Sequence, residues 1–168
     1  MGDAIAPLDP ADLSQGFKFE GRLSEDFKLS TGTWVRVGPL RARLLAAIGD
    51  LVQDAVIAGH ERDDVRILLF PSLTACRALA EAPRDTPAAV VLADPRVRGA
   101  ISDRLLAYNA VSVGSSTVIR CATLLDTPPS IDAMEITDKG SINQRAVLGH
   151  RAAVVDALYA SDAPSILC

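Results

Sequence analysis

Lysine is scarce in this chain of 168 residues, so each lysine is a distinct candidate for chemistry that needs an ammonium group. The three lysines are Lys18, Lys28 and Lys139. Lys28 lies in an alternating segment at 26–37, and Lys139 lies in a polar loop at 130–141. An ammonium on a flexible stem can neutralise a carboxylate or a phosphate group, most strongly in a site that excludes water. These two segments are therefore the first candidates for a functional site.

The sequence contains no complete active-site motif that would work alone. It has no Walker phosphate loop, no Gly-x-Ser-x-Gly elbow and no His-Glu-x-x-His zinc motif. Its two histidines, His60 and His150, are far apart, and no motif pairs them as acid and base. The three cysteines form no Cys-x-x-Cys pair, so we predict no metal site.

Charge and hydropathy argue against two classes of function. Lysine and arginine number 17 against 21 acidic residues, a net charge of −4, and such a surface repels nucleic-acid phosphates. The longest apolar run, at 88–93, is far shorter than the ~20 residues that cross a bilayer. No secretory signal is visible at the start. We therefore expect a cytoplasmic protein with no nucleic-acid partner and no membrane span.

Hydrophobic periodicity predicts an α+β domain, with an N-terminal β-hairpin and a small sheet of about three strands flanked by helices. Phe27 and Leu29 alternate with polar neighbours, and a turn at Gly32 leads into the alternating residues 34–37, which predicts the hairpin. The other predicted elements are a helix after Gly38-Pro39, strands at 52–58 and 65–70, helices at 74–81 and 95–108, a strand at 118–125, and a helix at 143–159 with Val147, Val154, Val155 and Leu158 on its apolar face. Residues 87–93 fit either a helix or a short buried strand.

The two ends of the chain carry no regular pattern. Pro7, Pro10 and Gly16 interrupt residues 1–20, so we predict an irregular start. Residues 162–168 are predicted to be a frayed tail.

Both lysine-bearing segments resemble motifs of the adenylate-forming superfamily. Residues 21–35, GRLSEDFKLSTGTWV, resemble its hinge-and-hairpin motif, in the Lys-Leu-x-x-Gly-x-x-Val form of acyl-CoA and feruloyl-CoA synthetases. Residues 136–148, ITDKGSINQRAVL, resemble its last motif in the feruloyl-CoA synthetase form, and Gly2-Asp3 resembles the end of its Thr-Gly-Asp element. On this resemblance the chain is identified as the C-terminal lid domain of an AMP-forming acid–CoA ligase, most similar to feruloyl-CoA synthetase.

The resemblance implies a division of labour between two domains. Residues 21–161 would be the C-terminal lid, and residues 1–20 would be a remnant of its junction with a large N-terminal adenylation domain, normally in the same chain. The parent enzyme would use ATP to convert an aromatic (feruloyl-type) or fatty acid to acyl-AMP, and would then transfer the acyl group to CoA. The lid would adopt one pose for each half-reaction. ATP/AMP and CoA are substrates, Mg²⁺ enters with the nucleotide, and this domain alone is expected to bind none of them.

The resemblance also implies roles for the residues around the hinge. Asp3 would accept hydrogen bonds from the ribose hydroxyls of the nucleotide, as a carboxylate can. Arg22 would donate to the same ribose or to the phosphate. The pivot for the rotation would lie near 23–26, with Ser24, Glu25 and Asp26 as the hinge residues.

Four further residues are assigned to the chemistry by resemblance. Gly32 and Trp34 would line the tunnel for the pantetheine arm of CoA. Ser141 occupies the position at which many family members carry the catalytic lysine, so Lys139, two residues earlier, is the candidate for that ammonium, and Lys28 is the second. The alternatives are that Lys139 is a solvated loop lysine and that Gly32 is only a turn glycine.

Two other functions compete with the ligase. The isolated chain is expected to be inactive, because the acid pocket and the phosphate-binding loop belong to the large domain. One alternative is a free-standing, non-catalytic module that binds a partner protein or CoA. The other alternative, within the superfamily, is that the chain belongs to a peptide-synthetase adenylation domain or to a carboxylate reductase.

Overall fold

The computed structural model describes residues 3–22 and 25–160, with side chains for 7–17 and 25–160. The short 3-10 helices Leu13–Gln15 and Gly49–Leu51 accompany the regular elements. In chain order the elements are β1 Asp3–Pro7, β2 Phe17–Arg22, β3 Phe27–Lys28, β4 Trp34–Val35, α1 Val37–Ile48, β5 Val52–Ala58, β6 Val65–Pro71, α2 Leu73–Leu79, α3 Ala88–Ala93, α4 Pro95–Val111, β7 Ile119–Leu124, α5 Gln144–His150 and α6 Ala152–Tyr159.

The central sheet is a small mixed sheet with the strand order β5-β6-β7. β5 and β6 pair antiparallel with Ile57 opposite Ile67, and β6 and β7 pair parallel with Ile67 opposite Ala122. Two separate hairpins, β1–β2 and β3–β4, precede it. The predicted α+β fold of about three sheet strands with flanking helices is confirmed.

The sheet divides the core into two layers, because successive strand residues face opposite sides. On the first face, Ile57, Ile67 and Leu69 pack against α1, α4 and the β3–β4 hairpin. On the second face, Leu68 and Phe70 pack with residues of α5 and α6. These near-continuous apolar strands are therefore buried on both sides.

The predicted helices before and after the central strands are confirmed. In α4, the residues Val97, Ile101, Leu105 and Tyr108 are buried at helical spacing. Asp94 caps this helix by accepting the N–H of Arg96. Residues 87–93, which fitted a helix or a strand, contain the helix α3.

The prediction of one helix at 143–159 is wrong. The helix breaks at Arg151, which has φ −101° and ψ 26°, so α5 and α6 are separate. Spacing counted through the break therefore misplaces the apolar face. Val147 and Leu158 are buried and Val155 packs against them, but Val154 is exposed.

The prediction of an irregular start at 1–20 is also wrong. β1 pairs antiparallel with β2, so that Asp3 lies opposite Arg22 and Pro7 opposite Phe17. The residues that suggested irregularity belong to the ends and the connection: Pro7 ends β1, and Gly16, at φ 93°, precedes β2. Proline and glycine therefore mark the connection between two strands here, and not a segment without strands. The predicted tail at 162–168 lies outside the described residues.

Within residues 3–22 and 25–160, no helix is long and apolar enough to cross a membrane.

Candidate functional site

The tip of the β3–β4 hairpin is a five-residue turn that needs glycine. The Leu29 N–H donates to the Thr33 carbonyl at 3.0 Å, and the Gly32 N–H donates to the Leu29 carbonyl at 2.9 Å. Gly32 has φ +82°, which a residue with a Cβ adopts only with strain. A Cβ added there would meet no atom within 4 Å. The predicted glycine hairpin is confirmed, and its tip is open to solvent.

The base of the hairpin is fixed to the first face of the sheet. Phe27, Leu29 and Val35 are buried in the first core layer. Gly59, which follows β5, lies so close that a Cβ added there would be 3.0 Å from the Phe27 ring and 3.2 Å from Leu29. The hairpin therefore packs tightly against the β5–β6 turn.

Main-chain hydrogen bonds complete this attachment. The Glu61 N–H donates to the Lys28 carbonyl at 3.1 Å, and the Ser30 N–H donates to the Arg62 carbonyl at 2.9 Å. The Ser30 hydroxyl also donates to the carboxylate of Asp63. The hairpin and the domain therefore move as one body.

Lys28 and Trp34 form an exposed pair across the two strands. They are Cα partners in the register, and the Lys28 Nζ lies 5.1 Å from the centroid of the Trp34 ring. Trp34 is 58% exposed. A cation over an exposed indole gains about 0.5–1 kcal/mol. The hairpin thus presents an ammonium, an indole and the bare backbone of Gly32 together.

Lys139 lies at the tip of a second turn with the same geometry. The Thr137 N–H donates to the Ser141 carbonyl at 2.9 Å, and the Gly140 N–H donates to the Thr137 carbonyl at 2.9 Å. Gly140 has φ +78°, close to the value at Gly32. The Thr137 and Ser141 hydroxyls hydrogen-bond each other at 2.8 Å. Ser141 is therefore engaged within the turn, and Lys139 is exposed at its tip.

The root of the Lys139 turn is fixed to the second face of the sheet. Ile136 and Ile142 form an isolated antiparallel bridge, and Ile142 is buried in the second core layer. The Asn143 N–H donates to the Glu135 carbonyl at 2.9 Å. Gln144, which is buried, accepts the N–H of Ile57 on the edge strand β5 at 3.0 Å. The two turns are therefore anchored on opposite faces of one sheet.

A buried ion pair supports the root of this turn. Glu135 Oε1 accepts Arg151 Nε at 2.9 Å and Glu135 Oε2 accepts Arg151 Nη2 at 2.7 Å, with side-chain exposures of 3% and 13%. The Ser130 N–H also donates to Oε2 at 2.9 Å. The Arg151 bonds hold the pKa of Glu135 below its usual value although burial opposes this shift, and the Ser130 bond and nearby His150 add to the lowering.

Arg151 uses its remaining donors on the segment that follows β7. Nη1 donates to the carbonyl and the hydroxyl of Thr127 at 3.2 and 2.9 Å, and Nη2 donates to the Pro128 carbonyl at 2.9 Å. The guanidinium also lies 5.1 Å from the centroid of the Phe70 ring. Sequence reasoning missed Arg151 and Glu135; the available signal was a lone acidic residue between apolar Met134 and Ile136.

Of the three predicted hinge residues, Glu25 and Asp26 lie within the described residues. Asp26 Oδ1 accepts the N–H of Val37, the first residue of α1, at 2.9 Å. Asp26 is thereby fixed to the start of α1. Ser24 lies outside the described residues. Asp3 and Arg22 are backbone neighbours across β1 and β2, and their side chains are likewise outside the description.

Comparisons with known proteins agree with this architecture. The family model for the AMP-binding enzyme C-terminal domain matches residues 26–163. No curated protein sequence matches the chain at a significant level.

Several solved structures share the fold. The A domain of a carboxylic acid reductase from Segniliparus rugosus, in complex with AMP and a carboxylic acid, is 21% identical with a TM-score of 0.65, over 94% of this chain and 22% of that one. The adenylation domain of a carboxylate reductase from Mycobacterium chelonae is 21% identical with a TM-score of 0.66, over 94% of this chain and 22% of that one. The anthranilate CoA ligase AuaEII, in complex with anthranoyl-AMP, is 18% identical with a TM-score of 0.53, over 94% of this chain and 25% of that one. The chain thus spans about a fifth to a quarter of these chains.

Proposed function

Because the chain belongs to the family of C-terminal domains of AMP-binding, adenylate-forming enzymes, we propose that it is the lid of an acid–CoA ligase. The enzyme converts an aromatic, feruloyl-type or fatty acid to acyl-AMP with ATP and then transfers the acyl group to CoA. The lid works on a large N-terminal adenylation domain, which holds the acid and the nucleotide.

The observation that carries this proposal is the pair of matched, exposed turns on opposite faces. One turn presents Lys139, and the other presents Gly32 beside Lys28 and Trp34. Both roots are packed into the core, so neither turn can swing independently around the domain. A rigid body with two working faces must rotate to apply each face to one fixed adenylate. This requirement fits a reaction with two half-reactions.

In the first pose, the Lys139 turn faces the acid and ATP. Its ammonium is exposed at the tip of a rooted turn, so it can approach a carboxylate and the α-phosphate that it attacks. Neutralising the charge that develops between them stabilises the transition state for adenylation. Mg²⁺ arrives with the nucleotide.

In the second pose, the β3–β4 hairpin faces the acyl-adenylate. Gly32 has no side chain, so the pantetheine arm of CoA can pass its backbone, and Trp34 offers an apolar wall to the same arm. The ammonium of Lys28 lies over the indole, where it can meet the phosphate of AMP or CoA. Between the poses, the pivot lies near 23–26, with Asp26, which accepts the N–H of Val37, at its fixed end. Asp3 and Arg22 stay at the ribose.

The test measures the two half-reactions separately in the whole gene product that carries these 168 residues. A panel of hydroxycinnamic and fatty acids is assayed for acid-dependent ATP–pyrophosphate exchange and for CoA thioesters formed from supplied acyl-AMP. Lys139→Ala is expected to lower the exchange by about 100-fold, the size seen when one transition-state charge contact is lost. Its thioester step should change by less than about twofold. Arg43→Ala, which removes an exposed cation on α1, is the control and should leave both rates unchanged.

The same assays separate the competing functions. Thioester formation with at least one acid supports the ligase, whereas acid-dependent exchange followed by reduction of the acid supports a carboxylate reductase. The 168-residue chain alone should release no pyrophosphate with any acid, and it should gain activity when joined to a matching large domain. Robust ligase activity from the 168 residues alone would refute the lid assignment, and CoA binding without any exchange would favour the non-catalytic module.

A further inference from the structure

We propose that Arg151 is a positioning residue for adenylation, acting through Glu135 to hold the Lys139 turn in its working place. This inference rests on the proposed function of Lys139. It adds two residues, neither of which touches a substrate, to the machinery of one half-reaction.

The first step is that the Lys139 turn depends on its root. Residues 138–141 are exposed, so the tip is not held by packing. The bonds that orient the turn are the Ile136–Ile142 bridge and the Asn143 N–H to the Glu135 carbonyl. Glu135 therefore stands at the point where the turn joins the domain, and any displacement of its backbone is passed to the tip.

The second step is that Glu135 is held from its side chain. Its buried carboxylate takes two hydrogen bonds from Arg151 and one from the Ser130 N–H. A carboxylate so far from water requires its partners, and a planar guanidinium supplies two parallel bonds that a lysine cannot supply. Arg151 therefore fixes the side chain of Glu135, while the Glu135 N–H donates to the Ser130 carbonyl at 2.9 Å.

The third step is that Arg151 is itself held in place by several independent contacts. It sits at the break between α5 and α6, bonds Thr127 and Pro128 after β7, and stacks on the Phe70 ring of the central strand β6. These contacts connect the turn root to three parts of the second layer. In the described chain no hydrogen bond or ion pair links Arg151 to Lys139, so any influence on the ammonium must run through the root.

The consequence is selective for one half-reaction. The β3–β4 hairpin packs in the other core layer and shares none of these contacts. Arg151→Lys should therefore lower acid-dependent ATP–pyrophosphate exchange by about tenfold, the effect expected from a small misplacement of a catalytic group. Thioester formation from supplied acyl-AMP should stay within about twofold of the wild-type rate.

The matched control is Arg66→Lys. Arg66 makes a two-point ion pair with Asp64 at 2.7 and 3.1 Å, donates to the Leu158 carbonyl at 2.6 Å, and lies 4.4 Å from the Tyr159 ring centroid. It thus resembles Arg151 in its two-point carboxylate pair, its bond to a main-chain carbonyl and its aromatic contact, and it contacts α6 through Leu158 and Tyr159, but it is not joined to the Lys139 turn. It should reproduce any loss of thermal stability without a selective loss of exchange.

The decisive measurement is a double-mutant cycle in the whole gene product. If Arg151 acts through Lys139, the variant Lys139→Ala with Arg151→Lys should exchange pyrophosphate no more than about twofold more slowly than Lys139→Ala alone. If the two losses multiply, the inference is overturned. It is also overturned if Arg151→Lys slows both half-reactions equally, or if Arg66→Lys shows the same selective loss.

A second readout does not depend on activity. Hydrogen exchange at the Gly140 and Asn143 amides should speed up by about tenfold in Arg151→Lys, while amides of the β5–β6 ladder keep their protection. Glu135→Gln is the second variant, in case Arg151→Lys does not fold, and it should give the same pattern. Unchanged turn amides in both variants would overturn the inference.

The outcomes also separate this inference from the proposed function. If Lys139→Ala leaves pyrophosphate exchange unchanged, the proposed role of Lys139 fails and the positioning role fails with it. If Lys139→Ala slows the exchange but Arg151→Lys and Glu135→Gln do not, only the positioning role fails.

Discussion

Substitution of Gly32 distinguishes a turn glycine from a glycine that leaves room for CoA. At φ +82° any L-residue is strained by about 1–2 kcal/mol. A Cβ at this position meets no atom within 4 Å, so no clash is added. Gly32→Ala and Gly32→Leu should therefore both fold and should lose a similar stability of about 1–2 kcal/mol. That loss leaves most of a domain folded, because domains of this size are stable by roughly 5–15 kcal/mol.

The activity of the two variants should differ, unlike their stability. If the hairpin tip lines the passage for pantetheine, the rate of thioester formation from acyl-AMP should fall by at least about tenfold with alanine and further with leucine. Pyrophosphate exchange should stay within about twofold of wild type, because the Lys139 turn belongs to the other face. The assay is the same pair of half-reactions, with urea unfolding measured alongside.

Gly114 provides the control for backbone strain. It has φ +89°, and a Cβ there also meets no atom within 4 Å. Gly114→Ala and Gly114→Leu should lose the same stability as the Gly32 variants and keep both activities. If the Gly32 variants lose about 1–2 kcal/mol but form thioester at the wild-type rate, Gly32 is only a turn glycine and the tunnel assignment is wrong.

Two further predictions concern the attachment of the turns. Gly59→Ala should lower the free energy of unfolding by on the order of 3 kcal/mol, because residue 59 has φ +150° and its new Cβ would press on the Phe27 ring. Gly99→Ala, on an open helix surface, should not destabilise the protein. Equal urea midpoints for both variants would contradict this packing. The native pKa of Glu135 is lowered, so its ion pair with Arg151 adds stability above about pH 4.5 and loses it as the pH falls through the native pKa. The stability gap between wild type and Glu135→Gln should thus shrink as pH falls from 7 to 3, and a gap independent of pH would refute the role of the charge.

Periodicity predicted those elements whose burial is decided locally. The residues at 97, 101, 105 and 108 lie on one helical face whatever the helix packs against, and α4 was predicted correctly for that reason. The hairpin at 26–37 was predictable because alternation and a left-handed glycine are both local signals. The same turn geometry recurs at 137–141, where polar residues alone indicated only a loop.

Periodicity failed where a partner distant in sequence decides the local geometry. Near the break at Arg151 the sequence offers only Gly149, a single glycine inside α5 and a weak signal. The Arg151 guanidinium takes its partners from the segment after β7 and from Glu135, which are distant in sequence. The prediction for residues 3–22 was wrong for a related reason. Proline and glycine suggested an irregular segment, but the pairing of β1 with β2 satisfies the backbone hydrogen-bonding groups.

The sequence by itself determined the class of the fold and the two segments that carry candidate chemistry, because residue type, alternation and glycine turns act over a few neighbouring positions. Only the tertiary structure decided that these segments are anchored on opposite faces of one sheet, and that a buried carboxylate and a guanidinium support one of them. Face and burial depend on which strands pair and which helices cover them, and those contacts join residues that are far apart along the chain.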